Sequence, residues 1–114
     1  MLKTFTDFRN DLITIAKLSP AQKGTSIADG TRLEAVEEYW LEAKKPIDLH
    51  EINDIIQKMK PQTYGLLKST VEGIEDDDCL YYKIRTGEYR NHTLEIRKAE
   101  GSDTVIVLSI TKRK

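Results

Sequence analysis

The stretch Thr104–Thr111, with Val105, Ile106, Val107, Leu108 and Ile110, constrains the fold more than any other segment. Side chains alternate sides along a strand, so a run apolar at almost every position suits a strand covered on both faces. That predicts a central strand. The two preceding segments offer it neighbours. In residues 79–86, Leu80, Tyr82 and Ile84 share one face while Tyr81, Lys83 and Arg85 share the other. Further on, His92, Leu94 and Ile96 alternate with Thr93, Glu95 and Arg97. Gly87-Glu88 and Glu100-Gly101-Ser102-Asp103 carry turn residues. The last third therefore reads as a three-stranded antiparallel meander.

The first two thirds read mainly as helix. Phe8, Leu12, Ile15 and Ala16 lie at helical spacing over residues 7–18, and Ser19-Pro20 ends that helix. Residues 3–8 suit either a short fourth strand or the opening of the helix. Residues 19–30 hold Pro20, Gly24, Ser26 and Gly30 and read as a loop. Thr31 and Glu34 form a capping-box signature for a second helix with the stripe Leu33, Val36, Trp40 and Ala43, closed by Pro46. Asp48 and Glu51 repeat the signature for a third helix striped by Leu49, Ile52, Ile55, Ile56 and Met59, and Pro61 stops it. Residues 62–75 suit a short helix or a loose strand. The expected class is α+β, with N-terminal helices packed on one side of a C-terminal antiparallel sheet of three strands, or four if residues 3–8 join it. The 114 residues fit a single domain.

Charge is unevenly spread. Residues 1–78 carry 10 Lys+Arg against 15 Asp+Glu, whereas residues 79–114 carry 8 against 4. The sheet half is therefore basic and able to attract phosphates, while the helical half is acidic. The single Cys79 has no intramolecular disulfide partner, no apolar run approaches the length of a membrane span, and Asp7, Arg9 and Asp11 exclude a signal-peptide core at the start. A cytoplasmic protein that does not enter membranes is the expectation. No motif requires a cofactor. Asp76-Asp77-Asp78 reads as a solvated turn and no histidine or cysteine pair has metal spacing, so no metal is expected.

The chemistry-bearing residues cluster late in the chain. Lys83 and Arg85 share a strand face, Arg90 follows the turn, and Arg113 lies past the central strand between Lys112 and Lys114. Strand pairing can bring such ends together. RNA cleavage by 2′-hydroxyl attack needs a group to take the 2′ proton, cations to hold the phosphate, and an acid for the 5′-oxygen. Arginine suits the phosphate because its planar fork engages two oxygens. His92, beside the basic hairpin, has the chemistry of a general acid or base. His50, just inside a helix start, reads as a surface residue.

The run Asp78–Arg90 followed by Thr104–Arg113 resembles the end of RelE-type toxins, a superfamily that includes the ParE and MqsR groups. Thr4–Leu18 is similar to that family's first strand and helix. The resemblance implies an endoribonuclease toxin that cleaves mRNA at the ribosome and is neutralised by a cognate antitoxin. It implies that Lys83 assists proton removal or holds the phosphate, and that Arg85 replaces a lysine proposed as the base. Arg90 would bind the scissile phosphate and Arg113 would stabilise the transition state or the leaving group. Tyr89, His92 and Lys112 would be substrate-binding neighbours. Two other readings stand beside it. Residues 48–60 and 61–73 could form a helix-turn-helix with 80–97 as its wing. Alternatively, the chain is a non-catalytic interaction module, such as an inhibitor, immunity or phage accessory protein, with the acidic helical half as its contact surface.

Overall fold

The computed structural model describes residues 4–21, 35–65, 79–84, 89–99 and 101–112. Its elements are helix α1 (Phe5–Ala16), strand β1 (Ser19–Pro20), strand β2 (Ala35–Glu42), helix α2 (Leu49–Lys58), a 3₁₀ turn (Pro61–Tyr64), and strands β3 (Cys79–Lys83), β4 (His92–Lys98) and β5 (Val105–Lys112). The five strands form one antiparallel sheet in the order β1-β2-β5-β4-β3. No described helix is long and apolar enough to cross a membrane.

Each helix begins where its side chains satisfy free backbone groups. Thr4 accepts from the Asp7 amide at 3.1 Å, and Asp7 Oδ2 accepts from the Thr4 amide at 2.9 Å. This reciprocal cap makes the Thr4–Phe8 stretch the opening of a helix. Lys17, at φ 57°, closes α1 with a left-handed turn. Asp48 caps α2 by accepting from the His50 amide at 2.9 Å. Phe8 and Leu12 of α1, and Leu49, Ile52 and Ile56 of α2, pack with Leu41, Leu80, Tyr82, Leu94, Ile96, Ile106, Leu108 and Ile110 of the sheet in one core. Both helices thus cover the same sheet face.

β5 is central, paired with β2 on one side and β4 on the other, and Ile106 through Thr111 are all buried. On the opposite face Val107 packs with Trp40 and Ala99. The polar Ser109 follows at 1% exposure.

The sheet has five strands where three or four were expected, because β2 pairs with β5 and β1 pairs with β2. The helix was expected to run to Leu18 and stop at Ser19-Pro20, but it ends at Ala16 with Lys17 as its cap, and the Ser19-Pro20 pair joins β2, with Ser19 opposite Glu42 and Pro20 opposite Leu41. The expected helix from Thr31 is corrected most sharply, since residues 35–42 are strand. Val36 and Trp40 are four apart, a spacing that lies on one face of a helix and equally on one face of a strand. Valine and the Tyr-Trp pair favour the pleated surface, and pairing along β5 from Thr111 to Val105 settles the outcome. The Thr31 and Glu34 cap lies outside the described residues, as do Asp76–Asp78 and the Gly87-Glu88 turn.

Candidate functional site

The β3–β4 hairpin and the end of β5 meet at one end of the sheet. His92 and Lys112 are direct cross-strand partners, and Lys83 stands opposite Thr93. The chain turns there through Asn91, at φ 69°, a left-handed conformation that asparagine tolerates. The turn is tied by Asn91 N–H to the Ile84 carbonyl at 3.3 Å, His92 N–H to the Tyr89 carbonyl at 3.0 Å, and Ile84 N–H to the His92 carbonyl at 3.0 Å.

His92 is half-buried and held on two sides. Its Nδ1 lies 3.1 Å from the Arg90 carbonyl oxygen. A carbonyl only accepts, so this contact requires the hydrogen on Nδ1, and Nε2 is the ring nitrogen on the far side from it. The Tyr89 ring meets the imidazole edge-on at a centroid distance of 5.6 Å. Lys112 is exposed on β5, and directly opposed residues of antiparallel strands lie on one sheet face with Cβ atoms about 5 Å apart. Arg90 is exposed in the turn that feeds β4. Below them, Ile84, Leu94 and Ile110 join Phe5, Phe8, Tyr64 and Tyr89 around a small apolar cavity of ≈ 30 Å³. The floor is therefore rigid core and the rim polar.

The residues expected to act together divide. Tyr89, Arg90, His92 and Lys112 gather at this end. Lys83 belongs to the same end but projects from the other sheet face, because it lies between the core residues Tyr82 and Ile84. Arg85 and Arg113 lie outside the described residues.

A second polar group crosses the face away from the helices. Ser109 stands between Glu38 on β2 and Glu95 on β4. Its hydroxyl donates to Glu38 Oε2 at 3.4 Å, while Trp40 Nε1 donates to Glu38 Oε1 at 3.0 Å. Cys79 Sγ lies 3.6 Å from Glu95 Oε1. Burial pushes the Cys79 thiol up to about 11, and the Glu95 carboxylate adds to the shift, so the sulfur is held as an inert thiol. Among the described residues, the buried Arg97 Nε has no hydrogen-bond partner. The sequence signal for this group is Ser109, the polar interruption in the apolar run. No group of three or more His, Cys, Asp and Glu among the described residues could hold a metal ion.

No family model matches the chain, and no curated protein or solved structure matches it.

Proposed function

We propose that the His92–Lys112 end of the sheet binds a single-stranded RNA phosphodiester, and that the chain is a metal-independent endoribonuclease of the kind its RelE-type resemblance implies. The observation that supports this most is the anchored imidazole of His92, directly across from the Lys112 ammonium and two residues from Arg90. In this reading His92 Nε2 removes the 2′-hydroxyl proton. The 2′-oxygen bonds to phosphorus, the bond from phosphorus to the 5′-oxygen breaks, and Lys112 supplies the proton to the departing 5′-oxygen. Arg90 holds the non-bridging oxygens as their charge grows. The products are a 2′,3′-cyclic phosphate and a 5′-hydroxyl. The proton-transfer centre moves from Arg85 to His92, since a guanidinium does not give up its proton near neutral pH. Lys83, which projects from the other sheet face, stays outside these proton transfers.

Among the described residues, no geometry favours the helix-turn-helix reading. Its second helix would run through Gly65, which takes φ 81° and closes the 3₁₀ turn.

The test is cleavage of a short single-stranded RNA in EDTA, with the cyclic phosphate followed by mass. The wild type should cleave it and spare the 2′-deoxy analogue. His92→Ala and Lys112→Ala should each slow cleavage by about 10²–10⁴, the usual worth of a positioned acid or base. Absence of the cyclic product, or unchanged cleavage by His92→Ala, would refute the proposal.

A further inference from the structure

The stretch from Tyr89 to His92 folds back on itself. Asn91 takes φ 69°, the left-handed conformation that reverses the chain, and the His92 amide donates to the Tyr89 carbonyl at 3.0 Å. That reversal brings the two side chains together, with ring centroids 5.6 Å apart and planes at 65°. It also sets the Arg90 carbonyl oxygen 3.1 Å from His92 Nδ1. One short turn therefore touches the imidazole twice, once by a ring and once by a carbonyl.

Tyr89 is itself held. It is half-buried, packs against the main core, and lines the small cavity beside Phe5, Phe8 and Tyr64. A ring committed to the core in this way is a fixed wall. The imidazole needs one, because the last torsion of a histidine is broad and roughly two-fold. Turned over, the ring would put a carbon where Nδ1 stood and lose the Arg90 carbonyl. Which ring nitrogen carries the hydrogen is set by the bonds the ring makes. A neutral imidazole left to water favours the hydrogen on Nε2, and that nitrogen then has no lone pair to take a proton.

From this geometry we propose that Tyr89 is a positioning residue, whose ring fixes the His92 imidazole so that the Arg90 carbonyl holds the hydrogen on Nδ1 and Nε2 keeps its lone pair. The catalytic meaning rests on the ribonuclease reading, in which Nε2 takes the 2′-hydroxyl proton; the hold on the ring does not. This role differs from the substrate contact that the family resemblance implies for Tyr89. Ring pairs in such tilted, edge-on arrangements bias two competing states by roughly two- to tenfold.

The test is nitrogen-15 NMR of the His92 ring in the intact chain at about pH 8.5, where imidazoles are neutral. His50→Gln, a change at an exposed position, identifies which of the two histidine signals belongs to His92. The wild type should carry the hydrogen on Nδ1. Tyr89→Leu should move the tautomer ratio toward Nε2–H by roughly two- to tenfold, and Tyr89→Phe, which keeps the ring, should restore it. Thermal melting shows which variants are folded. Should Tyr89→Leu fail to fold, Asn91→Val takes its place, because a β-branched residue resists φ 69° and loosens the same turn from an exposed position. Hydrogen on Nε2 in the wild type, or an unchanged ratio in the folded variant, would overturn the inference. In RNA cleavage, Tyr89→Leu should lower kcat by the same factor with KM unchanged, and Tyr89→Phe should recover it. A change in KM alone would make Tyr89 a substrate contact and overturn its positioning role. If the wild type cleaves no RNA but the tautomer behaves as stated, the ribonuclease reading fails and the hold on the imidazole stands.

Discussion

Tyr82 is fully buried, and its hydroxyl donates to Asn53 Oδ1 of α2 at 2.7 Å. Burial, with the nearby Asp54 carboxylate, pushes its pKa well above the ordinary value, so it remains a neutral donor joining helix to sheet. Asn53 Oδ1 also accepts from Gln57 Nε2 at 3.4 Å, so removing the hydroxyl does not leave the amide oxygen alone. Tyr82→Phe should therefore cost about 1 kcal/mol in urea unfolding, the net worth of one hydrogen bond. Cys79 supplies a sharper check. With its thiol raised from 9.0 to about 11, it should react slowly with a disulfide reagent at pH 8 in the folded chain and rapidly in denaturant. The linkage has a definite sign. Between pH 9 and 11 the unfolded chain has lost the thiol proton while the folded chain keeps it, so this group's contribution is complete below pH 9 and is lost as pH rises through the folded value. A Cys79→Ser chain should show a smaller loss of stability over that interval.

Elements follow from faces. On α1, Leu12 is fully buried and Ile15 is 52% exposed. Leu12→Ala should cost about 2–5 kcal/mol, as the transfer and cavity terms add, whereas Ile15→Ala should stay within about 0.5 kcal/mol. Equal losses in urea unfolding would contradict this division of the helix. The same local rules explain what the amino-acid pattern disclosed in advance. The caps of α2, its stripe, the alternation of β3 and β4 and the central place of β5 all rest on neighbours within one turn or one strand. β2 does not. Val36 and Trp40 fit helix and strand equally, and what decides is pairing with a segment some seventy residues away, where Trp40 meets Val107 and Tyr39 meets Leu108. The site divides likewise. His92 and Arg90 were visible as chemistry, but the opposition of His92 and Lys112 is a property of register.

At the scale of the whole molecule, the helices cover one face of the sheet and leave its end at the β3–β4 turn rimmed by Arg90, His92 and Lys112. Helical and sheet halves carry opposite net charge, and the sheet end adds Arg90 and Lys112 to the basic half. The central claim is that a phosphodiester sits at the sheet end. Its most direct measurement is a heteronuclear NMR titration of the chain with a short RNA made uncleavable by 2′-deoxy substitution at the scissile position. The account predicts that the largest shifts fall on Arg90, His92 and Lys112, including the His92 ring, and that Lys112→Ala weakens binding. Shifts confined to other surfaces, or no binding at low salt, would contradict it.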